Sequence, residues 1–139
     1  MPATFRTTRR VQFGDTDTAG IVHFARFFCY MEEAEHELLR SLGLSVVMDW
    51  EGRRIGFPRV GASCDFLRPA RFEDVLTIDV SIENVGRSSI TYGFKMFKDE
   101  EAVARGQLSA VCCVVTPGQP LEAIEIPESI RARLESAGR

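Results

Sequence analysis

Two aspartates, Asp15 and Asp17, stand two residues apart in the stretch from Val11 to Phe24 (VQFGDTDTAGIVHF). They follow a segment that alternates like a strand and precede one with the period of a helix. A helix start offers unpaired backbone N–H groups and a partial positive charge. That suits a carbonyl oxygen whose negative charge grows as the carbonyl carbon is attacked. A carboxylate alongside can attack the carbon itself, or deprotonate a water that does. Gly20, between the acids and the helix, permits close approach of a ligand to the backbone. Aspartates in this place also serve as caps of turns and helices, and spacing alone leaves both readings open.

The elements that must hold these acids can be read from periodicity. Residues 4–13 set Phe5, Val11 and Phe13 on one side of a strand at a period of two. Over residues 22–42 the period changes. Phe24, Phe27, Phe28, Met31, Ala34, Leu38, Leu39 and Leu42 form one wide apolar stripe of a long helix, which Gly43 stops. Residues 43–58, with Trp50, Gly56 and Pro58, read as a loop. Strands are expected at 59–66, 75–85, 88–98 and 102–115, joined by hairpins at 84–87 and 98–101. A short helix is expected at 127–136. Residues 111–115 are apolar on both faces, which predicts cover on both sides. One helix covers only one face of a sheet, so an oligomer is expected.

The 139 residues suit a single domain spanning 1–139, and 45% hydrophobic with 27% charged content is ordinary for a soluble globular chain. A net charge of −3 argues against nucleic acid as the main partner. No apolar run approaches the roughly 20 residues that span a bilayer, and no signal peptide is read at the start. The cysteines, Cys29, Cys64, Cys112 and Cys113, have neither metal nor disulfide spacing, which fits reduced side chains and a cytoplasmic location.

The segment around Asp17 resembles the D-x-D-x-x-G motif of the 4-hydroxybenzoyl-CoA thioesterase family. The likeness extends through the long helix, residues 72–79 (FEDVLTID), Gly86-Arg87-Ser88-Ser89 and residues 121–127 (LEAIEIP). It implies an α+β hotdog fold, in which a five-stranded antiparallel sheet wraps around one long central helix. It implies hydrolysis of an acyl-CoA thioester without a cofactor, aryl groups such as hydroxybenzoyl first and short-chain aliphatic groups second. It also implies a homo-oligomer, dimer or tetramer, with active sites at the subunit interface.

The resemblance assigns the catalytic carboxylate to Asp17 and a supporting role to Asp15. The backbone N–H that polarises the carbonyl falls on Phe24. Glu32 takes the place of an acid that meets the acyl group. Arg87, with Ser88 beside it, takes the place of a contact to CoA phosphate, and guanidinium forks suit phosphate oxygens. Arg53, Arg54, Arg68 and Arg71 are weaker candidates. A related subgroup has histidine at the position of Phe24, whereas this chain has His23 one place earlier. A neighbouring helical side chain points about 100° away, so that histidine's role is not carried over, and His23 is read as acyl-pocket lining or as a partly exposed or interface residue. His36 reads as solvated. Glu35 falls near the centre of the apolar stripe, which predicts an arginine partner across a subunit contact.

Competing chemistries find little support. There is no G-x-S-x-G elbow, P-loop or G-x-G-x-x-G fingerprint. Cys29 lies inside the helix, a poor place for an activated thiolate. A hydratase would need His23 paired with an acid. A non-catalytic acyl-CoA sensor would use the same pocket without the hydrolytic carboxylate.

Overall fold

The computed structural model describes residues 5–137, so residue 4 of the expected first strand lies outside the described residues. Strand β1 (Phe5–Arg10) leads through a 3₁₀ turn (Phe13–Asp15) to helix α1 (Phe24–Ser41). Strands β2 (Val47–Trp50), β3 (Arg53–Gly56), β4 (Arg59–Phe66), β5 (Val75–Val85), β6 (Ser89–Lys98), β7 (Glu101–Val111), β8 (Cys113–Val114) and β9 (Glu122–Ala123) follow. Helix α2 (Glu128–Ser136) comes last.

The main sheet is antiparallel with order β1-β5-β6-β7-β4. Its inner face presents Ile78, Val80, Tyr92, Phe94, Met96 and Leu108, all buried. Against it α1 lays Phe27, Met31, Ala34, Leu38 and Leu39. Each large aliphatic side chain removed from water here contributes roughly 1.5–3 kcal/mol. The helix ends in a Schellman motif, with Gly43 N–H donating to the Arg40 carbonyl and Leu44 N–H to the Leu39 carbonyl. Leu44 and Leu39 are both buried there, the apolar contact that accompanies the motif.

A second antiparallel sheet, β2-β3-β8-β9, was not anticipated. The expected loop before Pro58 contains a hairpin, and the expected strand 102–115 divides at Cys112 between the two sheets. This accounts for the doubly apolar stretch within one chain. Cys112 and Cys113 are buried, and the second sheet provides cover that the sequence reading had assigned to a partner subunit. The outer face of the main sheet carries Thr77, Asp79, Ser81, Thr91, Lys95 and Gln107, which need no apolar cover. All four cysteines are free thiols.

Edge strand β4 is one place where apolar side chains are left uncovered. Its register sets Ala62 opposite Leu108, Cys64 opposite Gly106 and Phe66 opposite Ala104, on the helix side of the sheet. Ala62 and Phe66 are nevertheless exposed. Val60 stands at a bulge of the same strand and is 65% exposed.

Candidate active site

The strand expected to run through Phe13 ends at Arg10, and the backbone then tightens. Asp15 N–H donates to the Gln12 carbonyl, and one Asp15 carboxylate oxygen accepts the Gln12 N–H at 2.9 Å. Phe13 is therefore turned to solvent, 78% exposed, rather than into the apolar face. The same Asp15 oxygen accepts the phenol of Tyr30 at 2.7 Å. The Asp15 carbonyl accepts His23 N–H at 2.8 Å. With both carboxylate and carbonyl engaged, Asp15 braces the turn against α1.

Asp17 occupies a different environment. Its N–H donates to the Ile21 carbonyl and its carbonyl accepts Gly20 N–H, closing a three-residue loop. Gly20 sits at φ +79°, the left-handed region where such loops favour glycine. A β-carbon there would meet nothing within 4 Å, so the turn conformation is what calls for glycine. One Asp17 carboxylate oxygen accepts Ala19 N–H at 2.8 Å. The other accepts no hydrogen bond from any described residue.

Asp17 lines a cavity of about 460 Å³ together with Ile21, Val22, Phe24, Phe27 and Phe66, and residues 67–70 close one side. Phe24 is 60% exposed, although the helical period had placed it on the apolar stripe. Its ring borders this cavity and meets Phe66 edge to face. His23 is the N-cap of α1, and its Nδ1 accepts the Ala25 N–H at 3.2 Å. Arg26 N–H donates to the His23 carbonyl. The Phe24 N–H donates to no acceptor among the described residues outside α1. A carboxylate with a free oxygen and a helix-start N–H thus belong to residues on the wall of one cavity.

Of the other predicted residues Arg68 also lines this cavity, whereas His23, Glu32, Arg87 and Ser88 are not on its wall. His23 is exposed, stacks on the Phe24 ring at 4.7 Å between centroids, and is absent from the cavity wall. Glu32 lines a second cavity of about 340 Å³ with His36, Phe57, Arg59, Val115 and Leu121. Arg87 and Ser88 lie beyond the far end of β5 from Asp17. The Asp17 loop adjoins the Val75 end of β5, where Arg10 pairs with Val75 and Ile21 bridges Arg71. The 11 residues of β5 span on the order of 30 Å. One chain therefore does not bring Arg87 to its own Asp17.

The arginine partner of Glu35 is in the same chain, not across an interface. Glu35 is fully buried and bonds the Arg59 guanidinium, and its second oxygen has no partner. Burial pushes its carboxyl up to about 7, against the opposing pull of Arg59. The sequence reading singled out Glu35 but not Arg59, because the place of β4 beside α1 was not assigned. His36 is half-buried rather than solvated, and burial lowers its pKa. Among the described residues no cluster of three His, Cys, Asp or Glu could hold a metal ion.

The sequence profile of the thioesterase superfamily matches residues 19–105, more than half of the chain. The protein belongs to the thioesterase superfamily. This thioesterase-superfamily chain is 35% identical over 132 residues to a putative esterase of Aquifex aeolicus, covering 91% of this chain and 98% of that one. It is 31% identical over 137 residues to a 1,4-dihydroxy-2-naphthoyl-CoA hydrolase of Prochlorococcus marinus, covering 94% and 89%. Among solved structures, a gentisyl-coenzyme A thioesterase superposes with a TM-score of 0.81 at 32% identity, covering 94% of this chain and 99% of that one. The α+β hotdog architecture read from the sequence is the observed fold. No helix among the described residues is long and apolar enough to cross a membrane.

Proposed function

We propose that the protein hydrolyses an acyl-CoA thioester, with Asp17 as the catalytic carboxylate and the Phe24 N–H as the oxyanion donor. The observation that carries this reading is the free carboxylate oxygen of Asp17 in the same cavity wall as the first residue of α1. Attack by Asp17, or by a water it deprotonates, puts negative charge on the carbonyl oxygen. A preorganised N–H at a helix start stabilises that charge. The C–S bond then breaks, CoA leaves as a thiol after protonation, and water supplies the oxygen of the free acid. Asp17 provides the carboxylate and Phe24 the N–H donor that this chemistry requires.

The acyl group is a hydroxylated aryl group. The apolar wall of Val22, Phe24, Phe27 and Phe66 suits a ring. Two relatives named for hydroxylated aromatic acyl-CoAs support this choice. Hydroxybenzoyl is thus one member of the class rather than its sole candidate. The protein works as a homo-oligomer in which a neighbouring copy brings its Arg87, Ser88 and Glu32 to the Asp17 cavity, since one chain holds them apart. The exposed helix-side face of β4 is the surface for that contact.

A panel of aryl-, short-chain and long-chain acyl-CoAs, followed by thiol release, tests the reading. Preferred turnover of hydroxylated aryl-CoAs is expected. Preference for short aliphatic chains would overturn the acyl assignment, and tight binding without turnover would overturn catalysis.

A further inference from the structure

Arg131, on α2, makes contacts that the reaction above does not use. Its side chain is only 18% exposed. The guanidinium donates to the carbonyls of Val85 at 3.4 Å, Gly86 at 2.8 Å and Arg87 at 3.2 Å, three successive groups at the tip of the β5–β6 hairpin. Other segments engage the same tip. Ile126 N–H donates to the Arg87 carbonyl, Cys112 N–H to the Ser88 carbonyl, and Gly86 N–H to the Ser89 carbonyl. The carbonyls of residues 85–88 are therefore tied to the body of the protein.

The N–H side of the tip differs. Neither the Arg87 nor the Ser88 N–H donates to a group among the described residues outside the strand ladders. The Arg87 side chain is 84% exposed, with Glu125 at 3.7 Å as its ion-pair partner. A tip with occupied carbonyls and free N–H groups beside a guanidinium is suited to an anion.

We propose that Arg131 is a positioning residue for the CoA phosphates: it fixes the hairpin so that the Arg87 guanidinium and the free N–H groups of Arg87 and Ser88 face a phosphate together. This rests on the acyl-CoA reading and on the Arg87 contact within it. The residue must be arginine, because a planar fork with five donors spans three carbonyls and a lysine ammonium does not. Glu135, at 3.6 Å one helical turn away, helps hold the fork.

The test compares Arg131→Met and Arg131→Lys on two substrates with the same aryl group, one on CoA and one on pantetheine, which lacks every phosphate. Arg131→Met should raise KM for the CoA thioester on the order of 10-fold, the size of one lost charge-assisted contact. The KM for the pantetheine thioester should stay near wild type, and Arg131→Lys should recover little. Combined with Arg87→Ala, Arg131→Met should raise KM less than it does alone, because part of its effect runs through the Arg87 guanidinium. Equal losses on both substrates, or lower melting temperature alone, would overturn the positioning role. If Arg131→Met does not fold, the same comparison is read from Arg131→Lys. An Arg87→Ala variant that fails to discriminate the substrates sinks the phosphate contact itself. One that discriminates while the Arg131 variants do not sinks only the present inference.

Discussion

The phenol of Tyr30 and the backbone N–H of Gln12 converge on one carboxylate oxygen of Asp15, at 2.7 and 2.9 Å. Tyr30 is on the buried face of α1 and Gln12 opens the turn before Asp17, so Asp15 couples the helix to the loop that carries Asp17. Tyr30→Phe removes one of these two bonds and little volume. It should cost about 1 kcal/mol of stability and lower kcat/KM several-fold, with KM nearly unchanged. Urea unfolding and steady-state kinetics on the same preparation check both.

Asp17→Asn retains the acceptor for Ala19 N–H but cannot attack a thioester or take a proton from water. It should lower kcat at least about 100-fold, with unchanged melting temperature and unchanged binding of an inert CoA thioether. Asp15→Asn should show the reverse balance, a larger loss of stability and a smaller loss of turnover. Near-wild-type hydrolysis by Asp17→Asn would remove the central assignment.

Arg87→Ala should raise KM for the full CoA thioester roughly 10- to 100-fold, since a charge-assisted phosphate contact is worth about 1.5–3 kcal/mol. The pantetheine thioester should be spared. A loss of similar size on both would place Arg87 in the fold rather than in binding.

Glu35 predicts a pH dependence of stability. Burial raises its carboxyl from 4.5 to about 7, so the folded state holds this proton more tightly than the unfolded chain does. Its contribution is full below pH 4.5 and is lost as pH rises to about 7. Across that window the melting temperature of wild type should decline relative to Glu35→Gln. His36, held down by burial, contributes the opposite slope in both proteins, so the difference between the two curves reports Glu35. Parallel curves would exclude its titration there.

Ala62 is exposed on the helix-side face of β4. A carboxylate there must be desolvated in any contact through this face. Ala62→Asp should yield a folded monomer with little activity, measured by light scattering and turnover. A fully active monomer would refute the shared site.

Much of this was legible in the residues. The limits of β4 and β5 are those read from alternation, and α1 starts two residues later than its apolar period and ends one earlier. The β2–β3 hairpin was hidden for physical reasons. Its strands are four residues each, and its two-residue turn is Glu51-Gly52, at φ 50° and 80°. A turn with both φ values positive is recognised in sequence by Asn-Gly or Asp-Gly, and glutamate disguises it. Asp17 and Phe24 could be found together because they are close along the chain. Arg59 and Glu35, 24 residues apart, meet only where α1 packs across β4, a contact that local patterns do not encode.

At one point α1 lies so close to β7 that a β-carbon on Gly106 would overlap the sulfur of Met31. Glycine there leaves room for the Met31 thioether to lie against the backbone of the sheet, so a larger residue would displace that side chain. The cavity beside Asp17 is walled by other residues of the same helix, Phe24 and Phe27. Changes in acyl size must come from trimming or enlarging side chains at its rim, such as Phe24 and Phe66. In a directed-evolution library for new acyl groups, gains should collect at those rim positions, while Gly106 and Met31 remain fixed.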